Sequence, residues 1–315
     1  VSVVDTTVAP FVQVGTGRAL QTSPLLRIGY PGESLHIPRP PMNARLDINC
    51  PAMSILTHGS DTTLAPTLRA LTAQLGSVRA ALDAVIADGF RSVQIDATLS
   101  GLRPRDLNQR ARRDLIALLT RNSVQLAGLD LFIPRKHFVQ DEHVDRAVAA
   151  AVDAITLAHD FGHVPVSLAL PVGELAEDVR SALLEAADGR SVPLAVHAED
   201  RLDELAGWLD RVDLPNVGAA IDPAALLARE QDPADVAQRW SKRLKVARLS
   251  DLASSGGAVR CPAGEGELDV MQYRLAVDLA AGRIGPVVLD LRNLEAARQA
   301  AARSKAAWDD AAFTL

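Results

Sequence analysis

Val217-Gly218-Ala219-Ala220-Ile221-Asp222 is a short, continuous apolar run that ends on one carboxylate. It shows no polar alternation, so both faces of such a strand are expected to be buried, as in a parallel sheet covered by helices. The same design recurs in Leu194-Ala195-Val196-His197, Lys245-Val246-Ala247-Arg248 and Val287-Val288-Leu289-Asp290. Working outward gives eight candidate strands: Leu46–Cys50, Ser92–Asp96, Val124–Leu131, Val164–Leu170, Val192–His197, Val217–Asp222, Leu244–Leu249 and Val287–Leu291. The stretches between them carry a helical period. Val78, Leu82, Val85 and Ile86 fall on one stripe, as do Val144, Val148, Val152 and Ile155, each able to pack on a sheet. Gly89 closes the first of these helices, and a later one is expected from Asp269 to Gly282. Eight βα units in about 270 residues match a closed (β/α)8 TIM barrel. A doubly wound open sheet would want a glycine-rich first turn, and none is present.

The first 43 residues read differently. Pro10, Pro24, Pro31, Pro38, Pro40 and Pro41 punctuate them and charges are sparse. The expected organisation is therefore an extended proline-rich N-terminal arm over 1–43 and a barrel over 44–315. Gly15-Thr16-Gly17 lacks a third glycine and a strand–helix setting, so no nucleotide cofactor is expected. Of the 315 residues 48 % are hydrophobic, enough for a sizeable core. Lys and Arg number 33 against 39 Asp and Glu, a net charge of −6, and aromatics are 3 %. Both features speak against a nucleic-acid partner. No apolar run reaches the roughly 18 residues of a membrane span. Cys50 and Cys261 are expected as free thiols in a reducing compartment. The expected location is cytoplasmic, with export after removal of a leader as the alternative left open by the first residue, Val1.

In a TIM barrel the C-terminal ends of the strands carry the chemistry. His197, Asp222, Arg248 and Asp290 end the fifth to eighth candidate strands, so their side chains are expected to converge at the barrel mouth. Asp96, Ser250 and Asp251 are further polar groups at strand ends, and His58, Arg135, Lys136, His137 and Glu199 follow in the loops. His163 precedes its strand and belongs to the opposite face, whereas His143 opens a helix. One imidazole and two carboxylates (His197, Asp222 and Asp290) are the donor types for a divalent ion. Arg248 aimed into the same space opposes a metal, or replaces it by pairing with Asp222 or Asp290. Three readings stay open: a metal site, a metal-free acid–base site, and a buried ion-pair cluster closing the barrel.

Several segments resemble the xylose-isomerase-like superfamily of sugar-phosphate isomerases, epimerases and class II apurinic endonucleases. Ala84-Val85-Ile86-Ala87-Asp88-Gly89-Phe90-Arg91-Ser92-Val93-Gln94-Ile95 looks like its first helix and second strand. Val217 to Pro223 looks like its sixth strand, and Leu249-Ser250-Asp251 like its seventh-strand exit. Gly264-Glu265-Gly266-Glu267-Leu268-Asp269 looks like the loop opening its seventh helix. The resemblance covers about residues 44–315. It implies a divalent metal (Mn, Mg, Zn or Fe) held by Glu, Asp, His and Glu on the fifth to eighth strands. Those positions fall on His197, Asp222, Arg248 and Asp290, and a second family histidine falls on Ala225. Only Asp222 is retained unchanged. The family's proton relay between two carboxylates is broken by His197, and a permanent cation replaces a ligating imidazole.

Two functions follow as expectations. The first is an isomerase or epimerase acting on a small sugar-like substrate. His197 or Asp290 would be the base and Arg248 would polarise the carbonyl. Arg135, Lys136, Glu199 and Asp251 would bind substrate, and Asp222, His197 and Asp290 any metal. The second is a non-catalytic barrel with a degenerate metal site. It would act as a structural or accessory subunit, with the N-terminal arm contacting a homo-oligomer or larger complex. A DNA-repair activity is disfavoured by the acidic balance.

Overall fold

Residues 63–255, 257–280 and 284–312 are described by the computed structural model. Eight parallel strands form one sheet: β1 (Leu64–Pro66), β2 (Ser92–Asp96), β3 (Gln125–Leu131), β4 (Val166–Ala169), β5 (Leu194–His197), β6 (Val217–Ile221), β7 (Leu244–Leu249) and β10 (Val287–Leu289). Between them run α1 (Leu68–Leu75), α2 (Val78–Ala87), α3 (Gln109–Arg121), α4 (Val144–Asp160), α5 (Glu177–Asp188), α6 (Leu202–Val212), α7 (Pro223–Leu227), α8 (Pro233–Trp240) and α9 (Val270–Ala280), and α10 (Ala297–Asp310) follows the last strand. The architecture is a TIM barrel. The loop after β7 carries a small antiparallel hairpin of β8 (Asp251–Leu252) and β9 (Arg260–Cys261).

Seven of the eight strands lie where the apolar runs place them. The first does not. Leu64-Ala65-Pro66 takes the position expected of Leu46–Cys50, which lies outside the described residues, as does the 43/44 boundary. β1 is only three residues long and contains a proline, so it lacks the signal of a buried strand. Its register explains how the proline fits. Thr67 N–H reaches back to Leu289 O of β10 at 3.0 Å. Successive amides point to opposite sides of a strand, so the donor missing at Pro66 is one that would face β2. Among the described residues the β1–β2 junction is accordingly thin, with one backbone bridge, between Thr67 and Gln94.

The period of two along each strand sorts the core into two parts. Outward-facing residues such as Ile95, Leu129, Leu168, Val196 and Leu249 pack under the helices in the main core. Ala195, Ala220, Val246 and Val288 form a separate cluster inside the cylinder. Each stands two residues before His197, Asp222, Arg248 or Asp290, so the barrel holds an apolar plug with a polar layer directly above it. Helix starts follow local chemistry. The Ser77 side chain accepts Ala80 N–H at 3.1 Å, Asn108 accepts Ala111 N–H at 2.9 Å, and Asp269 accepts Gln272 N–H at 2.9 Å, as its expected cap role requires. Gly89 has φ +77°, the left-handed closing conformation expected of it. Among the described residues no single helix is long and apolar enough to cross a membrane.

Candidate functional site: an ion-pair layer at the barrel mouth

Arg248 occupies the centre of the polar layer and is 1 % exposed. Its Nε donates to His197 Nε2 at 3.1 Å, and its Nη1 to Asp290 Oδ2 at 3.3 Å. Its Nη2 donates to Asp130 Oδ1 at 2.7 Å and to Ser167 Oγ at 3.2 Å. Burial works against its charge, but Asp130 and Asp290 outweigh burial and hold its pKa above the ordinary arginine value. The backbone is pinned as well, because the buried Tyr273 hydroxyl donates to Arg248 O at 2.7 Å. Burial pushes that phenol well above its usual pKa.

Two further arginines close over the acids. Arg292 donates from its backbone N to Asp290 Oδ1 at 3.0 Å and from Nε to both carboxylate oxygens at 2.9 Å. Its Nη2 also reaches Asp222 Oδ2 at 2.9 Å. Arg260, brought over the mouth by the β8–β9 hairpin, pairs with Asp222 and reaches Asp290 Oδ2 at 3.3 Å. Ser250 Oγ donates to the other Asp222 oxygen at 2.7 Å. Burial alone would raise the Asp290 carboxyl. Arg292, Arg248 and Arg260 override it and hold that pKa well below the usual carboxylate range. Asp222 is lowered too: burial and the neighbouring Asp290 oppose the shift, and Arg260, Arg292 and Arg248 prevail.

The four strand-end residues singled out in the sequence therefore meet at one rim. Their chemistry is constrained. His197 Nε2 accepts the Arg248 proton, which leaves Nδ1 to carry a hydrogen and donate to Glu199 Oε1 at 2.6 Å. The imidazole lone pair expected to act as a base is thus already engaged. Arg135 pairs with Asp200, touches His197 O at 3.4 Å and stands 3.9 Å from Glu199. Arg135, His197 and Glu199 line a cleft of about 190 Å³ together with Asp222, Arg248 and Arg292. Lys136 is exposed on the same turn and is not among the residues lining that cleft.

Asp251 does not face a substrate space. It is fully buried, and its two oxygens accept backbone N–H groups from Leu252 at 2.7 Å, Leu268 at 2.9 Å, and Gly264 and Gly266 at 3.0 Å each. This carboxylate shapes the Gly-Glu-Gly loop, and its acceptors are consumed in doing so. Cys261 is a free thiol, pushed up to about 11 by burial and by Asp251, Glu265 and Glu267, so it is unreactive near neutral pH. His163 lies before β4, where its Nδ1 is 2.8 Å from Arg190 O.

Sequence reasoning missed Asp130, Ser167, Arg260 and Arg292. Asp130 was concealed inside the apolar run Leu129-Asp130-Leu131, and Arg292 by standing two places past a strand end. Arg260 carried no local signal, because only the hairpin brings it to the mouth.

A divalent cation does not fit this donor set. Asp222 and Asp290 are paired with Arg260 and Arg292, the His197 Nε2 lone pair accepts from Arg248, and a guanidinium fills the space between them. Among the described residues no group of three or more His, Cys, Asp or Glu is placed to hold a metal ion. Asp222, His197 and Asp290, the expected ligands, each face a guanidinium here, and a fixed cation repels a second one.

Comparison with known proteins bears on the origin of this mouth. No curated protein matches the sequence. Solved structures of similar fold include a xylose isomerase domain protein from Planctomyces limnophilus, at 16 % identity and TM-score 0.61, covering 79 % of this chain and 94 % of that one. The IOLI protein, described with a bound zinc atom, has 16 % identity and TM-score 0.62 over 80 % of this chain and all of its own. D-psicose 3-epimerase from Clostridium cellulolyticum H10, described with D-tagatose, has 13 % identity and TM-score 0.58 over 79 % and 97 % of the two chains. These likenesses show the fold. A family model described as xylose isomerase-like TIM barrel matches residues 82–309, and on that match this chain belongs to the xylose isomerase-like TIM barrel family.

Proposed function

We propose that this chain is a metal-independent member of its family whose barrel mouth is locked by ion pairs, and that it serves as a non-catalytic structural or accessory subunit. The observation that carries this reading is Arg248, which bonds His197, Asp290 and Asp130 at once from the middle of the barrel. Proton transfer next to a carbonyl needs a base whose pKa lies near the working pH. Asp290 is held far too acidic for that by three guanidiniums, and His197 has its lone pair engaged. The test is elemental analysis of the purified chain together with turnover assays on ketoses and sugar phosphates. No stoichiometric Mn, Mg, Zn or Fe and no turnover are expected. A stoichiometric metal, or turnover abolished by Asp290→Asn, would overturn the reading.

One observation favours a second reading, an isomerase or epimerase working without metal on a small sugar-like hydroxy-ketone. Glu199 is a carboxylate on the cleft wall with His197 hydrogen-bonded to it, beside Arg135. Here Glu199 would move the proton, His197 would orient it, and Arg135 would hold an anionic group. In this reading Glu199→Gln abolishes a measurable turnover, while unchanged turnover removes the proposed base.

A further inference from the structure

The strands begin at the end of the barrel opposite the mouth, and a second concavity lies there. It is a groove of about 210 Å³ between α3, the start of β3 and Phe161, the residue that follows α4. Its floor is apolar and recessed, with Leu119, Val124 and Phe161 only 6 %, 6 % and 9 % exposed. Ile116, Thr120 and Gln125 stand at its edge and are exposed. Among the described residues no charged side chain lines it. The volume is below the roughly 300–1,000 Å³ of small-ligand pockets, and suits one or two apolar side chains.

The rim of this groove is basic. α3 carries Arg110, Arg112, Arg113 and Arg121 against Asp114. Arg113, Ile116 and Thr120 are spaced i, i+3 and i+7, so they share one face of the helix. Arg121 directly follows Thr120. Arg91, just before β2, is brought to the same edge because Gln125 N–H donates to Arg91 O at 2.7 Å. Arg91, Arg113 and Arg121 are exposed, and none has an acidic partner among the described residues. Asp160, beside Phe161, is neutralised by Arg112, and Asp114 stands 3.8 Å from Arg110. On a chain whose net charge is −6, these three arginines make a local positive field that an anionic partner would meet.

We propose that this groove docks an acidic segment of a partner protein. A bulky apolar side chain of that segment rests on Leu119, Val124 and Phe161, and its carboxylates face Arg91, Arg113 and Arg121. The concavity decides among anionic partners. A bilayer takes in apolar side chains that protrude from a surface, and here the apolar floor is sunk below a polar and basic edge. A nucleic acid offers phosphates to arginines but no aliphatic knob for the notch. An apolar knob framed by carboxylates satisfies both halves of the site. The groove lies at the far end of the barrel from the Arg248 layer, so its occupancy is read by binding and does not depend on whether the mouth turns anything over.

The test pans a display library of random peptides against the full chain and measures the selected peptides by fluorescence anisotropy. They are expected to carry Leu, Ile or Phe flanked by Asp or Glu, and to bind more weakly as salt is added. Arg113→Glu combined with Arg121→Glu is expected to weaken them about 10-fold. Arg211→Glu combined with Lys242→Glu makes the same change in net charge at α6 and before β7, and is expected to leave affinity unchanged. Thr120→Trp fills the groove from an exposed helix position and is expected to abolish binding without moving the melting temperature. Selection of no peptide, selected peptides without an acidic excess, or wild-type affinity after reversal of Arg113 and Arg121 would overturn the site. Cosedimentation with phosphatidylserine vesicles that Thr120→Trp abolishes would assign the patch to a membrane and overturn it too. A concentration-dependent dimer lost in the same variant would do so by assigning the groove to a second copy.

Discussion

At the scale of single residues, Arg248 and its partners are costly groups made stable by their number. Taking a guanidinium and carboxylates out of water is repaid only when every lone pair and proton is used, and here nearly all are. Arg248→Leu would remove the cation and strand Asp130 beside Ser167 without its main partner. We expect a loss of about 3–5 kcal/mol, read as a fall in denaturant midpoint. Arg248→Leu combined with Asp130→Leu should recover part of it, since an apolar pair strands no charge. Acid should act on the same layer. Asp290 and Asp222 have folded pKa values below their unfolded ones, so their contribution is complete above the ordinary carboxyl pKa and is lost as pH falls through the folded values. Unfolding free energy should therefore drop between about pH 4 and pH 2, with a shallower slope in Asp290→Asn. His197, Asp222, Arg248 and Asp290 were legible in the sequence because each ends an apolar run. Their roles were not legible, because Arg260 reaches them only through tertiary structure and Arg292 only through the turn that follows β10.

At the scale of elements, continuous apolar runs located seven barrel strands, and the one failure has a physical cause. A three-residue strand containing proline carries almost no period, and its place is set by β10 pairing rather than by its own composition. The loop after β7 shows the converse. Its Gly-Glu-Gly pattern was readable as a family-like motif, yet the structure gives it an architectural cause, the four backbone donors gathered by Asp251. Glycine is needed at the second position, because a Cβ on Gly266 would lie 2.2 Å from Leu252 O and 2.5 Å from Asp251 Oδ1. Asp251→Ala leaves those N–H groups without their acceptor and should cost about 2–4 kcal/mol. Amide exchange should accelerate first at Gly264, Gly266 and Leu268. Because this loop joins the hairpin carrying Arg260 to α9, its loosening should also weaken the pairing of Arg260 with Asp222 and Asp290.

At the scale of the whole molecule, the barrel is a cylinder whose interior plug is made of small residues and whose upper layer is ionic. A protein held this way should be indifferent to chelation. Excess EDTA is expected to leave the melting temperature unchanged, whereas a chain stabilised by bound metal would lose stability by mass action. The cylinder is also unevenly stitched. Seven junctions are ladders of paired residues, while β1 meets β2 through one bridge, beside a Gln94 side chain that finds no hydrogen-bond partner among the described residues. Under tension, a wall fails where its rivets are fewest. Backbone amides facing that junction should exchange with solvent faster than those held in the seven ladders.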